Sequence, residues 1–220
     1  MEPGIHCEAI VSKANQKIEF KENIEGIDEW PMSKNWPDGE LSYRLNNFSE
    51  DFAEKWQTRA IVVSLRAWRW RIKKIWFRRE RNPDTKVDLN FEFKDLAHFD
   101  NKKGIFAHAF FPGQGAASGN CHFNDFWDWV AASKWQDLAR APMVPISIHE
   151  IGHLLGLRHD TLSSSVNTEI MYPSFNLGRK KWKLGPNTVS RIQDRYDART
   201  ISQRIIDYFA MRRFRASDFR

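Results

Sequence analysis

"HEIGHLLGLRHD", residues 149–160, places three histidines and a glutamate within twelve positions. His149 and His153 are four apart, so on an α-helix they project from one face, a turn from each other. The surrounding Ile148, Ile151, Leu154 and Leu155 mark that helix as buried. Two neutral imidazoles side by side in a dry interior are costly without a partner, and a divalent cation supplies one. Gly156 permits the chain to leave the helix in a conformation closed to most residues, and the turn brings His159 back to the first two rings. Three nitrogen ligands with a fourth position open is the arrangement of a catalytic zinc. Glu150, adjacent to the first ligand, is the expected general base.

Outward from this stretch, the His-bearing helix is expected to start near Pro145, since proline is tolerated in a first helical turn. Upstream, "LSYRL" (41–45) alternates as a first strand, and Phe52, Trp56, Ile61, Leu65 and Trp68 recur at mostly helical spacing from Ser49 to about Trp70. Glu50 and Asp51 suit the first turn of that helix. "KIWF" (74–77), "VDLNFEF" (87–93), "GIFAHAFF" (104–111) and the short "CHF" (121–123) read as further strands. A last helix is expected from Asn187, as N-cap, through Val189, Ile192 and Tyr196.

The chain has 220 residues, enough for one domain, and its 41% hydrophobic content, with sixteen Phe and ten Trp, predicts an aromatic core. Residues 1–35 are polar and mixed in charge, and read as a loosely attached extension; 36–198 carry the core pattern; 199–220 form a basic tail with six arginines against two aspartates. No apolar run approaches the twenty residues of a membrane span, and no signal peptide is visible at the N-terminus. Cys7 and Cys121 are too few for a disulfide framework. A net charge of +6 favours acidic surfaces as partners.

Taken with "EIMYP" (169–173), the histidine motif resembles the metzincin metalloproteases, with Met171 at the position of their methionine turn. "LSYRL", "AIVVSLRAW" (60–68), "AHAFFPGQG", "CHF" and "RIQDRY" (191–196) narrow the resemblance to the matrixins, the matrix metalloproteinase family, over roughly residues 36–196. Asp160 is more typical of adamalysins, but the upstream segments and the missing disulfide cysteines favour the matrixin branch. The resemblance implies a zincin-like α/β fold, a twisted, mostly parallel five-stranded sheet with three helices. It implies a monomeric, extracellular zinc endopeptidase whose peptide substrate adds to an edge strand at 104–111. Carried over by position, it implies a structural zinc on His98, Asp100, His108 and His122, a closed set of three imidazoles and a carboxylate. Pro145, Tyr172, Pro173 and Phe175 are the implied lining of the substrate pocket.

Several positions depart from the family pattern. Its acidic calcium ligands after His122 become Asn124 and Trp127, and a second calcium site keeps Asp88 and Gly115 but has Asn120 for its other acid. Little calcium binding is therefore expected. Asn187 and Thr188 replace an Asp pair, the segment "DTLSSSVNTEI" (160–170) is longer than usual, and the propeptide motif PRCGxPD is absent, Cys7 lying in "IHCEA". Two other functions compete with proteolysis. "SLRAWRWRIKKIWFRRER" (64–81) interleaves aromatics and cations, as nucleic-acid or polyanion binders do. A metal-binding homologue that no longer cleaves is the other, and the retained Glu150 argues against it.

Overall fold

In the computed structural model the described residues are 34–131, 140–160, 169–172, 184–203 and 205, with the main chain alone of 5–12, 17–22 and 174–176. Helix α2 (Met143–Leu154) carries the first two histidines, and every residue of it except Val144 is buried. A helix that is apolar nearly all round belongs in a core, and it needs other elements to cover it. Helix α1 (Glu54–Arg69) covers one side through Ala60, Ile61, Ser64, Leu65 and Trp68. Helix α3 (Pro186–Tyr196) presents Ile192 and Tyr196 to the same core.

The other side of α2 packs on a sheet. Its strands are β1 (Ile5–Ser12), β2 (Lys17–Glu22), β3 (Gly39–Leu45), β4 (Ile75–Arg79), β5 (Leu89–Lys94), β6 (Ile105–Ala109), β7 (Asn120–Asn124) and β10 (Ser174–Asn176), in the order β10-β2-β1-β6-β7-β5-β3-β4. A short parallel pair, β8 (Trp129–Val130) and β9 (Ala141–Pro142), lies beside it in sequence. The five expected strands are all present, with β3, β4, β5 and β7 parallel and β6 antiparallel to β7. In β5, Leu89, Phe91 and Phe93 are buried between half-exposed neighbours, as its alternation predicts.

The expected free edge at 104–111 is not free. β1 pairs antiparallel with β6, with His6 opposite His108 and Ile5 opposite Ala109, and β2 then pairs with both β1 and β10. Part of the polar N-terminal stretch thus takes up the outward main-chain groups of β6, and the sheet has eight strands. A strand edge leaves unpaired N–H and C=O groups that any nearby extended segment can satisfy.

Helix starts also differ from the sequence pattern. α1 begins at Glu54, because residues before it are otherwise engaged. Gln57 Nε2 donates to the carbonyls of Ser49 and Phe52, and the Asp51 carboxylate accepts from the Trp129 N–H at 2.7 Å. α3 is capped at Gly185 with Pro186 in its first position, so Asn187 lies inside the first turn. The Glu169 carboxylate reaches in from the methionine segment and accepts from the N–H groups of Asn187 (2.9 Å) and Thr188 (2.8 Å).

The abundant aromatic side chains serve α2 as donors as well as bulk. Trp68 Nε1 donates to the Ile148 carbonyl (3.0 Å), Trp36 Nε1 to Leu154 (2.7 Å) and the Tyr196 hydroxyl to Leu155 (3.1 Å). The Leu154 and Leu155 carbonyls lie at the helix C-terminus, where carbonyls have no partner within the helix and water cannot reach a buried one. Gly152 sits where α2 meets Met171: a Cβ there would stand 2.3 Å from the Met171 sulfur and 3.0 Å from the Trp68 ring. Met171 is itself fully buried, so little room exists for it to yield. Gly152→Ala should therefore cost about 1–3 kcal/mol through overpacking, lowering Tm by about 3–10 °C in a thermal melt. An unchanged Tm would show that the methionine and the helix do not meet as described.

Candidate metal centres

The end of α2 is built to return the chain. Gly156 takes φ 90°, its N–H donates to the His153 carbonyl (2.8 Å), and the Leu157 N–H donates to Gly152 (2.9 Å). This pair of bonds around a left-handed residue is the Schellman motif, and it reverses the chain within three residues. His159 then meets His149 and His153, as the spacing predicts. The three Nε2 atoms stand 2.9, 3.0 and 3.2 Å from one another, and all three residues are buried.

Which nitrogens face inward is set by carbonyl oxygens behind the rings. His149 Nδ1 lies 2.7 Å from the Ile170 carbonyl and His153 Nδ1 lies 2.7 Å from the Leu157 carbonyl. A carbonyl only accepts, so each Nδ1 carries the proton and each Nε2 turns a lone pair to the centre. Burial, with the neighbouring His159 second, pushes the His149 pKa down to about 3. Burial, then His149 and His159, holds His153 well below the usual imidazole range. The His149 and His153 rings are thus neutral near pH 7, the ligating form. A tetrahedral zinc with N ligands at about 2.0–2.1 Å spaces them about 3.3–3.4 Å apart, so a small outward adjustment admits the ion. The donor set fits zinc.

Met171, on the segment that supplies the Ile170 carbonyl, is fully buried beneath the helix at Gly152. The Asp160 N–H donates to the Met171 carbonyl (2.7 Å), and the Asp160 carboxylate accepts from the Asn187 side chain. The third histidine, the methionine turn and α3 are therefore tied together. Glu150 is 0% exposed, beside His149 on α2. The Cys121 thiol, also fully buried, is pushed well above its usual pKa by burial first and by Glu150 second, so it stays protonated.

A second convergence brings together His98, His108 and His122 from three elements. His98 lies in the turn Leu96–Phe99, capped by the Asp95 carboxylate; His108 is in β6; His122 is opposite it in β7. His98 Nε2, His108 Nε2 and His122 Nδ1 stand 2.8–3.2 Å apart. Burial, then His98, lowers the His122 pKa to about 4, and burial with Lys94 lowers that of His98. Asp100 does not bring its carboxylate into this convergence. It is exposed, in a left-handed conformation (φ 53°) that ends the His98 turn. Among the described residues, these two triads are the groups of three or more His, Cys, Asp or Glu able to hold a metal ion.

Of the positions weighed for calcium, Asp88, Asn124 and Trp127 are engaged in other bonds. Asp88 Oδ2 accepts from the N–H and hydroxyl of Ser42, at 2.8 and 2.7 Å. Gly115 lies in a turn and Asn120 opens β7. Asn124 and Trp127 both donate to the Ile105 carbonyl, at 2.8 and 3.0 Å. Of the expected pocket residues, Pro145 is buried in the first turn of α2, one turn before His149, and Tyr172 is half-buried. Pro173 lies outside the described residues, as do 161–168 of the long loop, and Phe175 is described by its main chain in β10.

The sequence model of the matrixin family matches residues 34–197. The chain is 31% identical to matrix metalloproteinase-18 of Xenopus laevis over 168 residues, covering 74% of this chain and 34% of that protein. It is 26% identical to mouse (Mus musculus) stromelysin-1 over 84% of this chain and 37% of that protein. It is 28% identical to rat (Rattus norvegicus) macrophage metalloelastase over 80% of this chain and 36% of that protein. The chain thus spans about a third of the length of the curated relatives it matches. With the family pattern running from Lys34 to Asp197 and both histidine triads assembled within it, the chain belongs to the matrixin family of metallopeptidases.

Proposed function

We propose that the chain is a zinc-dependent endopeptidase in which His149, His153 and His159 hold the catalytic ion and Glu150 is the general base. The observation that carries this reading is the convergence of three buried imidazoles, their Nε2 atoms within 3.2 Å, with a carboxylate beside the first. Zinc, when bound, supplies Lewis acidity toward the scissile carbonyl and lowers the pKa of water to near neutral. The Ile170 and Leu157 carbonyls keep His149 and His153 in the ligating tautomer. Glu150 accepts the proton of the attacking water and delivers it to the leaving amine. His98, His108 and His122 hold a structural zinc, with Asp100 or a water completing the set.

Calcium has little part in this reading. Asn124 and Trp127 already tie the loop after β7 to Ile105, and Asp88 is bonded to Ser42. Substrates are peptides or proteins, selected by the pocket beside the ion, for which Pro145 and Tyr172 are the described candidates. The relatives' family makes an extracellular setting the favoured one, and no described helix is long and apolar enough to cross a membrane.

Glu150→Gln should retain two zinc ions per chain and the parental Tm while peptide hydrolysis falls about a hundredfold or more. Phenanthroline should abolish the parent's activity. Activity of the variant within a few-fold of the parent would remove Glu150 from the mechanism. A single zinc in fully active protein would remove the second site.

An extended peptide adding to β6 competes with β1 for the same main-chain groups. His6→Pro with Cys7→Pro deletes two successive N–H groups of β1, at least one of them facing β6. Amide exchange at 105–109 should then quicken, and KM for a peptide should fall by at least about threefold as the competitor leaves. Faster exchange with an unchanged KM would place the substrate on another edge.

A further inference from the structure

The aromatic and basic run at 64–81 has no part in the metal centres. It contributes, with the start of α1, to a groove of about 1100 Å³ between the solvent side of α1 and the outer strands β3 and β4. Its rim carries Lys55, Arg59 and Arg66 from α1 and Arg78, Arg79 and Arg81 from β4 and beyond, against only two acids, Glu40 and Glu54. Glu40 is engaged by Arg78 at 2.5 Å and by Trp76 at 3.3 Å, and Glu80 beyond the rim pairs with the same Arg78 at 3.0 Å, so both acids fall on one cation and the six cations of the rim outnumber its acids. The floor is apolar, formed by Val62, Phe77 and Phe48. Arg59 and Arg66 are seven residues apart, two helical turns, and so share a face about 10 Å long.

We infer that this groove is a binding site for a sulfated polysaccharide. A row of guanidinium groups pairs with sulfate as it does with phosphate, by charge-assisted hydrogen bonds. The apolar floor suits the C–H faces of sugar rings whose charged substituents project sideways to the rim. Single-stranded nucleic acid is the less fitting occupant, because it needs open aromatic faces on which bases stack. The exposed ring of Trp56 already has Lys55 Nζ 5.6 Å and the Arg59 guanidinium 5.9 Å from its centroid. That indole positions cations rather than offering a platform. The site lies on the side of α1 opposite its α2 contact, so it does not depend on the endopeptidase reading.

Heparin is the probe, and the full-length chain is compared with three variants by salt elution and by titration calorimetry. Arg59→Ala/Arg66→Ala/Arg79→Ala should weaken binding at least about tenfold and lower the slope of log K against log salt by about two to three. Trp56→Ala should weaken binding without changing net charge, through loss of cation positioning. Arg212→Ala/Arg213→Ala/Arg215→Ala, in the basic tail, should have the smaller effect at the same net charge as the groove triple. Thermal melts of each variant confirm that the fold is retained; should a groove variant melt early, Arg59→Gln/Arg66→Gln is read in its place. Equal losses from the tail and groove triples would overturn the site, because net charge alone would then explain binding. Tighter binding of oligo(dT) than of heparin, lost in the groove triple, would overturn the choice of ligand.

Discussion

Three imidazole nitrogens aimed at one point inside a dry core are a constraint on everything around them. The Nε2 atoms stand 2.9–3.2 Å apart, those of His149 and His153 turn lone pairs to the centre, and burial resists protonating either of these two rings. The rings are held in this arrangement by two main-chain carbonyls, Ile170 and Leu157, which come from segments after the helix. Each carbonyl depends in turn on a turn: the Schellman reversal at Gly156, and the methionine turn packed beneath Gly152. The metal-binding geometry is therefore a property of the core, and the glycines in the motif are as much part of it as the histidines.

A helix buried along nearly its whole length also raises a hydrogen-bonding problem, and the chain's aromatic composition answers it. Trp68, Trp36 and Tyr196 come from three different segments, each filling core volume with a ring while its polar atom reaches a carbonyl of α2. The same device recurs at β6, where Asn124 and Trp127 share the Ile105 carbonyl. These bonds occupy positions where the family resemblance implies acidic ligands. They brace the loop after β7 to β6 through neutral hydrogen bonds, without desolvating a charge. At α3 the substitution runs the other way: Glu169 supplies from a distant segment the carboxylate that the helix start itself lacks.

The fold leaves its two long sides in different states. Beyond β6 the sheet continues through the N-terminal strands to β10, so the edge nearest the expected cleft is paired. Beyond β4 it ends, and the outer strand carries Trp76, Arg78 and Arg79 into solvent. Charged side chains on an outer strand discourage pairing with another chain. Here they also leave a positive groove beside α1.

The sequence by itself determined what depends on short spacing. Two histidines four apart share a helix face, a glycine three residues after the second permits the return of His159, and alternation marks β5; each follows from the geometry of a few consecutive residues. The family pattern added the five-stranded core and Met171. Tertiary structure alone decided what depends on the placement of distant segments. Asn187 was a sound local cap, yet α3 starts at Gly185 because Glu169 provides the cap. Asp51 suited a first helical turn, yet it accepts from Trp129 and α1 starts later. β6 read as an edge strand because nothing in its own residues records that β1 lies beside it. Hydrogen-bond partners far apart in sequence are chosen by which unpaired groups the folded core brings within about 3 Å, and that choice is written in no single segment.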